Sequence, residues 1–564
     1  MKTVTAKIIS SNGTEYIFEK EAVASINPKN CVNCGKCREV CPVGAISERQ
    51  RTICRVCPEC TGKPALTLDD MYSLATEKAC TTACPLGISP QGYVNLAGAG
   101  KLNEAYELIW EKNPLPSVCA RVCHHPCEQA CKRGILVDEP IAIRSIKRYL
   151  GEKVDWKPVP YPKLYEEKIA VIGAGPAGLT AAHYLAQSGY GVTVFDSATE
   201  AGGMLKRGIP EFRLDREVVD GEVAKLESAG ITFKLNETIN KYSFDKIKAE
   251  FDAIVVATGA PNSKELRIDG WRMEGVMTAL DFMEHVNNSQ DVWRHPGQIF
   301  KFDDAEVVVI GGGSVAIDSA RTAVRLGARK VTAICLESGE DIPCHKWELE
   351  EAEEEGVVLM QGYAPQKFVG THPELAGVEV AKVRNFSKDE NGQISFEIDK
   401  DSTEIVKADW VIVAIGQAPD SIWDELDGDK VFFAGDVKSK ACSVVDAMAS
   451  GKKIAGDVDK CLRDRGLKDP LSLRQLFDAS LDQKIYPATR RKTPRPERPL
   501  LSAEIRKHTF DEVEGCFDDN ALLAETQRCL GCGYQEVDAD KCIGCGICQR
   551  LCPKGDAITL VAVQ

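Results

Sequence analysis

Cysteine residues carry the most specific chemical pattern in this chain. Residues 31–46, CVNCGKCREVCPVGAI, form a complete C-x2-C-x2-C-x3-C-P run, and residues 542–553, CIGCGICQRLCP, form a second one. Residues 53–66, ICRVCPECTGKPAL, repeat the first three cysteines but place Pro64 where the fourth would fall. Runs with this spacing bind iron–sulfur clusters through thiolates. Structural zinc is the alternative, because C-x2-C pairs also bind that metal, but the C-P ends favour iron and sulfide.

The distribution of the 24 cysteines predicts metal sites rather than disulfides. The cysteines concentrate toward the two ends of the chain, whereas disulfide frameworks are typical of small secreted domains. We expect three to five [4Fe–4S] clusters. The candidate ligands are Cys31, Cys34, Cys37, Cys41, Cys54, Cys57, Cys60, Cys80, Cys84, Cys123, Cys127, Cys131, Cys529, Cys532, Cys542, Cys545, Cys548 and Cys552.

The spacing leaves open which cysteines share a cluster. In two-cluster ferredoxins the C-P cysteine of one run serves the cluster of the other run. By that rule Cys41 completes the triplet of Cys54, Cys57 and Cys60. Alternatively, the run at 31–41 forms one site by itself and the triplet serves the region of Cys80 and Cys131. A second C-terminal cluster would use Cys529 and Cys532, with Cys516 and Cys552 as further candidates.

The middle of the chain contains two glycine-rich turns, each between an apolar strand and a helix. Residues 168–179 read KIAVIGAGPAGL, and the following strand ends at Asp196. Residues 306–327 read EVVVIGGGSVAIDSARTAVRLG, and the following strand ends at Glu337. Such turns let the backbone approach a pyrophosphate at a helix N-terminus, while the later carboxylate binds ribose hydroxyls. Two such turns in one chain predict that it binds two dinucleotides.

Several segments resemble the small subunit of glutamate synthase and its relatives, which include dihydropyrimidine dehydrogenase and electron-bifurcating transhydrogenase flavoproteins. They are EAGGMLKRGIPEFRLDREVV (200–219), GGGSVAIDSARTAVRLGA (311–328) and NPLPSVCARVCHHPCEQACKRG (113–134). The resemblance covers roughly residues 75–460. It implies a FAD domain into which a nicotinamide-binding domain is inserted, with the chain returning to the FAD domain at residues 430–455.

The resemblance also implies ligand contacts. FAD would be held by Gly173, Gly175, Pro176, Ala177, Gly178, Asp196, Gly203 and Asp436, and the nicotinamide nucleotide by Gly311, Gly313, Ser314, Ala316 and Glu337. Hydride passes directly between the two cofactors in such proteins, so no catalytic side chain is expected.

The chain departs from this family at two places. NADPH-using relatives tend to carry arginines where Leu336 and Glu337 stand, and a carboxylate there would repel a 2′-phosphate. We therefore expect NADH. In the cluster region, Tyr72 and Ala75 replace a first cysteine pair, and Lys147 replaces a Glu or Gln ligand. A protonated lysine has no lone pair for iron, so one usual cluster is missing or recruits thiolates from elsewhere.

The expected fold class is α/β, with two nested Rossmann-like dinucleotide-binding domains, preceded by an α-helical iron–sulfur domain and flanked by N- and C-terminal ferredoxin-like α+β modules. The predicted divisions are an N-terminal ferredoxin-like module at 1–70, a helical iron–sulfur domain at 71–160, FAD domain parts at 161–295 and 411–463, an NAD(H) domain at 296–410, a linker at 464–527 and a C-terminal ferredoxin-like module at 528–564.

Composition narrows the functional class. The 564 residues carry a net charge of −14, which disfavours nucleic-acid binding. No apolar run is long enough to insert into a membrane, and the N-terminus lacks a signal-peptide core, so a cytoplasmic location is expected.

The leading hypothesis is that the chain transfers electrons between NADH and ferredoxin, or between NADH and a partner redox subunit of a larger complex. Electron bifurcation would be a further activity of that complex. The alternatives are the NAD(P)H-oxidising small subunit of a glutamate synthase, and an electron-transfer scaffold without nicotinamide turnover of its own.

Overall fold

A computed structural model provides the structure of the chain. It describes residues 4–9, 15–20, 22–27, 31, 34, 36–41, 45–50, 80–288, 302–389, 394–426, 428–438, 443–463, 492–537, 547–554 and 558–562. The predicted ligands Cys54, Cys57, Cys60, Cys542 and Cys545 lie outside these residues. None of the described helices is both long and apolar enough to cross a membrane.

The chain folds into two compact units. The first comprises Met1–Lys157, Leu467–Arg498 and Cys516–Gln564, and the second comprises Pro158–Gly466 and Pro499–Gly515. The second unit holds both glycine-rich turns, and the first holds both complete cysteine runs.

A parallel sheet of five strands carries the first glycine turn. Its order is Val431–Phe433, Ala253–Val256, Lys168–Ile172, Gly191–Phe195 and Thr232–Lys234. The central strand is buried over Ile169–Ile172, as expected for a parallel strand covered by helices on both faces. The accompanying helices are Pro176–Gln187, Met204–Arg207, Arg216–Ser228, Lys241–Glu250, Ile422–Glu425 and Val444–Arg463.

A second parallel sheet of five strands carries the other glycine turn. Its order is Val276–Thr278, Trp410–Val413, Glu306–Ile310, Lys330–Cys335 and Val358–Gln361. Its helices are Ala279–Asn288, Ser314–Arg325 and Lys346–Glu354. Between strands Val358–Gln361 and Trp410–Val413 the chain forms an antiparallel sheet of three strands. These are Tyr363–Thr371, Glu374–Lys388 and Ile394–Lys407.

The order of strands along the chain confirms the predicted nesting. The chain leaves the first sheet after Ala253–Val256, builds the second sheet, and returns to the first sheet at Val431–Phe433. A short antiparallel pair, Asn262–Ser263 with Gln417–Ala418, joins the outgoing and returning segments.

The first unit is mainly helical in its centre. Its described helices are Lys36–Glu39, Cys80–Ala83, Pro90–Gly98, Leu102–Trp110, Pro116–Val122, Pro126–Gln129, Lys132–Leu136, Ile143–Lys153, Asp519–Arg528 and Ile547–Arg550. This arrangement confirms an α-helical domain ahead of the dinucleotide-binding domains.

Strands from the two ends of the chain pair with each other. Ala22–Ile26 pairs with Ile558–Ala562, and Ile46–Gln50 pairs with Gly533–Val537, both antiparallel. A further hairpin joins Val4–Ile9 to Glu15–Lys20. Cys37 and Cys548 share one apolar core, to which Ala24, Ala45, Ile46 and Ile558 also belong. The two terminal modules therefore share their β-structure and their core.

Part of the segment predicted as a linker is folded. Within the second unit, helix Ala503–Arg506 belongs to a segment that packs on the second sheet domain, where Val513 N donates to Phe212 O at 3.0 Å. Phe510 and Val513 join the same apolar core as Phe212. The proline- and arginine-rich composition indicates a linker that wraps the flavoprotein core, but it does not indicate which residues pack there.

Buried charges hold one face of the second sheet domain. Glu355 accepts hydrogen bonds from Arg321 Nη2 at 2.6 Å and from Arg325 Nη1 at 2.6 Å, and all three side chains are buried. Burial alone would raise the pKa of the Glu355 carboxyl, but the hydrogen bonds from the two arginines lower it below its usual value. Arg506 from the segment 499–515 pairs with Glu354 beside this group.

We predict that Glu355→Ala destabilises the second unit by roughly 3–5 kcal/mol, since it leaves two buried guanidinium groups without their carboxylate. Because the pKa of Glu355 is lowered, the stabilisation should be present at neutral pH and lost as the pH falls below the ordinary carboxyl range. Denaturant unfolding followed by tryptophan fluorescence measures both effects. Glu353→Ala, at an exposed position of the same helix, is the control, and an equal loss in both variants would contradict the prediction.

Candidate functional site

The first glycine turn leaves open space at the N-terminus of the helix that follows it. Gly173 has a φ of +108°, and a Cβ there would lie 2.4 Å from Ala257 O, so only glycine fits. A Cβ on Gly175 would meet nothing within 4 Å, and Gly175 caps helix Pro176–Gln187. This leaves space for a pyrophosphate at the helix N-terminus.

The other residues predicted to bind FAD surround this turn. Asp196 accepts from Ala174 N at 2.6 Å and from Ala198 N at 2.9 Å, which fixes its carboxylate against the turn. A Cβ on Gly203 would lie 2.9 Å from Gly175 Cα. Gly435, which precedes Asp436, approaches Ala177 just as closely, at 2.8 Å from an added Cβ. The structure therefore brings together the residues predicted from Gly173 to Gly178 with Asp196, Gly203 and Asp436.

A buried hydroxyl next to the turn fits a polar ligand. Thr258 Oγ1 is buried and has no hydrogen-bond partner among the described residues. Thr258 directly follows Ala257, whose carbonyl oxygen lies against Gly173. A buried polar atom without a partner is costly, so a ligand atom at this place would be stabilising.

The second glycine turn lines a cavity of about 780 Å³. Gly311 has a φ of +141°, and a Cβ there would lie 2.3 Å from Ala414 O. Gly313 faces open space at the start of helix Ser314–Arg325, and Ala316 is buried. Ser314 Oγ donates to Glu348 Oε2 at 2.6 Å, which orients the first turn of the helix. The cavity is large enough for a substantial part of a dinucleotide.

Glu337 lies in this cavity where a ribose would follow the pyrophosphate. Its Oε2 atom is 3.1 Å from the position of a Cβ on Gly312, and Leu336 also lines the cavity. The Glu337 carboxylate has no hydrogen-bond partner within the described part of the chain. It can therefore accept hydrogen bonds from ribose hydroxyls.

Sequence reasoning missed one wall of this cavity. Ile394, Phe396 and Ile398 come from the inserted antiparallel sheet and line the same cavity as the glycine turn, although each is more than a third exposed. Their alternation along one strand was the signal that could have revealed an apolar face. The sequence does not indicate that this apolar face lines the cavity, because the strand lies far from the glycine turn along the chain.

Thiols of both complete cysteine runs lie together. Burial raises the pKa of Cys34 to about 12, and its electrostatic neighbours include Cys552 and Cys31. Burial also raises the pKa of Cys37, with Cys34, Cys31, Cys552 and Cys548 adding to the effect. The C-P cysteine of the C-terminal run therefore lies beside the first three cysteines of the N-terminal run. This is the reciprocal arrangement of two-cluster ferredoxins, formed by the two ends of the chain.

A group of cysteines in the helical domain surrounds Lys147. Burial would lower the pKa of Lys147, but Cys119, Cys123, Cys127 and Cys84 raise it above its usual value. The lysine is buried among these thiols, so it neutralises part of the charge that they would carry as thiolates. Cys119, which was not a predicted ligand, belongs to this group.

Cys80 belongs to a different group. Burial raises the pKa of its thiol well above the usual range, and Cys131, Cys532 and Cys529 add to the increase. Cys516, the other candidate in that part of the chain, instead lies beside Glu152.

No three Cys, His, Asp or Glu side chains in the described ranges are close enough to hold a single metal ion. A cubane cluster has one thiolate on each iron, so its ligands stand farther apart than those of a single ion. Buried thiols that raise one another's pKa fit a positively charged core, which would offset both burial and repulsion on deprotonation.

Comparison with known families agrees with this division of the chain. Residues 167–451 match the family model of the pyridine nucleotide-disulphide oxidoreductases. Residues 73–157 match domain II of dihydropyrimidine dehydrogenase, described with a 4Fe–4S cluster. Residues 24–47 and 536–555 match the 4Fe–4S binding domain. The terminal cysteine runs are thus confirmed as 4Fe–4S motifs.

Three curated relatives show the extent of the similarity. The chain is 32% identical over 512 residues to the NADP(+)-dependent formate dehydrogenase subunit beta of Moorella thermoacetica, covering 80% of this chain and 70% of the relative. It is 32% identical to the glutamate synthase [NADPH] small chain of Escherichia coli, with coverages of 67% and 87%. It is 30% identical to the NAD-dependent dihydropyrimidine dehydrogenase subunit PreT of Escherichia coli, with coverages of 68% and 90%.

We predict that Phe396→Ala weakens dinucleotide binding in the cavity. Loss of a partly buried aromatic contact of about 1 kcal/mol corresponds to a roughly fivefold increase in KM for the nicotinamide nucleotide. The flavin content should not change, because Phe396 belongs to the antiparallel sheet and not to the first parallel sheet. Ile405→Ala, on the same strand but 60% exposed and outside the cavity, is the control. An unchanged KM in Phe396→Ala would contradict the prediction.

Proposed function

The chain belongs to the pyridine nucleotide-disulphide oxidoreductase family and is an iron–sulfur flavoprotein similar to the glutamate synthase small subunit, and we propose that it transfers electrons between NADH and one-electron carriers through FAD and [4Fe–4S] clusters. The observation that carries the proposal is the presence in one chain of two glycine turns with open helix N-termini and several groups of buried thiols.

The first sheet domain supplies the FAD site of this proposal. Gly173 and Gly175 leave room for the pyrophosphate, Asp196 is fixed at the end of the adjacent strand, and Asp436 follows a turn that packs on Ala177. Bound FAD would exchange two electrons with the nicotinamide as a hydride and single electrons with clusters. The residues of the chain bind and orient the cofactors and take no covalent part in this exchange.

The second sheet domain supplies the nicotinamide site. The helix N-terminus at Ser314 lines the cavity, and Ile394, Phe396 and Ile398 give the cavity an apolar wall. The relatives are named for NADP(H) and for NAD, so family membership does not decide between the two nucleotides. Support for NADH comes from Glu337, whose carboxylate faces the glycine turn.

The N- and C-terminal ferredoxin-like modules, which share their β-structure and core, form the terminal ferredoxin-like domain. This domain supplies the connection to a partner. Relatives are named as subunits of a formate dehydrogenase, a glutamate synthase and a dihydropyrimidine dehydrogenase. We propose that this chain is likewise a subunit of a larger complex, and that its terminal ferredoxin-like domain exchanges electrons with ferredoxin or with another redox subunit. The same parts would also serve electron bifurcation.

A glutamate synthase small subunit is the second candidate function. It is favoured by the 87% coverage of the Escherichia coli relative. It does not account for the additional 4Fe–4S segments at residues 24–47 and 536–555. Purification of the native complex separates the two functions, since only a glutamate synthase would contain a glutaminase subunit.

The proposed function is tested by mixing the anaerobic protein with NADH in a stopped-flow spectrophotometer. We expect rapid bleaching of about one bound flavin per chain, because hydride transfer between adjacent nicotinamide and flavin needs no further side chain. A flavin that NADH does not reduce would refute the proposal and leave the scaffold alternative.

We predict that Leu336→Arg/Glu337→Arg shifts the nucleotide preference from NADH to NADPH. The carboxylate repels a 2′-phosphate of about −2 charge, so the wild type should prefer NADH on the order of ten- to a hundredfold in kcat/KM. The double variant replaces that repulsion by two guanidinium groups.

Glu337→Gln is the matched control for this prediction. It removes the repulsive charge without adding a positive one, so it should fall between the wild type and the double variant. Flavin content should be equal in all three proteins. A wild type that prefers NADPH would show that Glu337 does not face the ribose.

A further inference from the structure

Two cysteines from the C-terminal part of the chain lie in the helical domain, apart from the C-terminal cysteine run. They are Cys529 and Cys532, and neither falls within a segment that matches a 4Fe–4S family model. Their position follows from helix Asp519–Arg528, which ends at Cys529.

This helix is fixed tightly against the helical domain. A Cβ on Gly98 would lie 2.8 Å from Thr526 Oγ1, so the glycine allows the two helices to approach closely. Buried Glu525 Oε1 accepts from Ala142 N at 2.5 Å. At the other end of the helix, Tyr149 OH donates to Asp519 Oδ1 at 2.7 Å.

Arg528, the residue before Cys529, connects the segment that carries Cys529 to the segment that follows Cys131. Arg133 Nη1 donates to Arg528 O at 2.6 Å, and Arg133 is two residues after Cys131. Arg528 in turn donates to Glu139 O at 2.8 Å and pairs with Asp138 at 3.1 Å. Both arginine side chains are at most 2% exposed. Movement of Cys529 away from Cys131 would break this buried network.

The thiols of Cys131, Cys529 and Cys532 are all electrostatic neighbours of the Cys80 thiol. Asn95 Nδ2 donates to Cys529 Sγ at 3.6 Å, and Ile141 N donates to Cys131 Sγ at 3.5 Å. Cys532 packs against Val137 and Leu530 in one small apolar core. N–H groups directed at sulfur are typical of the surroundings of an iron–sulfur cluster.

We propose that Cys80, Cys131, Cys529 and Cys532 hold one [4Fe–4S] cluster, so that the C-terminal segment completes a cluster site of the helical domain. The donor set is four cysteines, as a cubane requires. The inference goes beyond the proposed function, which needs clusters but does not say which part of the chain binds them.

The test compares the full-length Cys529→Ala/Cys532→Ala variant with the wild type, both purified and reconstituted anaerobically. We expect the variant to lose about four iron and four sulfide ions per chain and one signal from the EPR spectrum of the reduced protein. The variant Cys80→Ala/Cys131→Ala should lose the same signal. Retention of all iron, or loss of different signals in the two variants, would overturn the proposal, and would point to the triplet of Cys54, Cys57 and Cys60 as the source of the missing ligands.

Cys516→Ala is the matched control. Cys516 lies in the same part of the chain but beside Glu152, so its removal should leave the iron content and the EPR spectrum unchanged. Flavin content and flavin reduction by NADH should also be as in the wild type in the Cys516→Ala variant. If NADH fails to reduce the flavin of the wild type, the proposed function fails while the cluster assignment is still decided by the iron content.

Asn95→Leu tests the same site without removing a thiol. Loss of an N–H group directed at Cys529 Sγ should lower the midpoint potential of the cluster, because hydrogen bonds to sulfur stabilise the reduced state. In a potentiometric titration followed by EPR, only the signal missing from the Cys529→Ala/Cys532→Ala variant should shift to lower potential. A shift in any other signal, or no shift, would contradict the assignment.

Discussion

Thiolates that are buried close to one another repel, and the first unit places several such groups around a single helix, Pro90–Gly98. A Cβ on Gly92 would lie 2.9 Å from Cys34 Cα. Burial raises the pKa of Tyr93, and Cys127, Cys84 and Cys80 are among its electrostatic neighbours. Asn95 donates to Cys529. Because three residues advance about 4.5 Å along a helix, the cysteines that neighbour Gly92, Tyr93 and Asn95 lie near one turn of this helix.

This crowding explains why small residues occur where they do on that helix. Gly92 admits the backbone of the N-terminal cysteine run, and Gly98 admits Thr526 of the C-terminal helix. Lys112 and Glu39, at 2.7 Å, and Lys36 and Glu111, also at 2.7 Å, connect the N-terminal run to the helical domain. Lys101 Nζ donates to Pro553 O and Lys554 O and connects the C-terminal run. The proposed clusters are thereby gathered within one compact unit.

Local patterns in the sequence sufficed for both dinucleotide-binding domains. Gly173 and Gly311 need a positive φ that other residues rarely adopt, and buried strands such as Lys168–Ile172 read as apolar runs. The pairing of Ile46–Gln50 with Gly533–Val537 was not predictable, since a cysteine run does not encode which distant strand lies beside it. For the same reason, Cys529 was expected near its neighbours in sequence rather than near Cys80. The wall around Phe396 was missed because its partner surface is built by another part of the chain.

Flavin and clusters of one chain are proposed to exchange electrons with NAD(H). This exchange is tested most directly by reducing the protein fully, removing the reductant, adding excess NAD⁺ anaerobically and measuring the NADH formed per chain. Two electrons from the flavin and one from each of three to five clusters should give roughly 2.5–3.5 NADH. A yield of about one NADH, with the clusters still reduced by EPR, would mean that the clusters do not communicate with the flavin and would contradict the account.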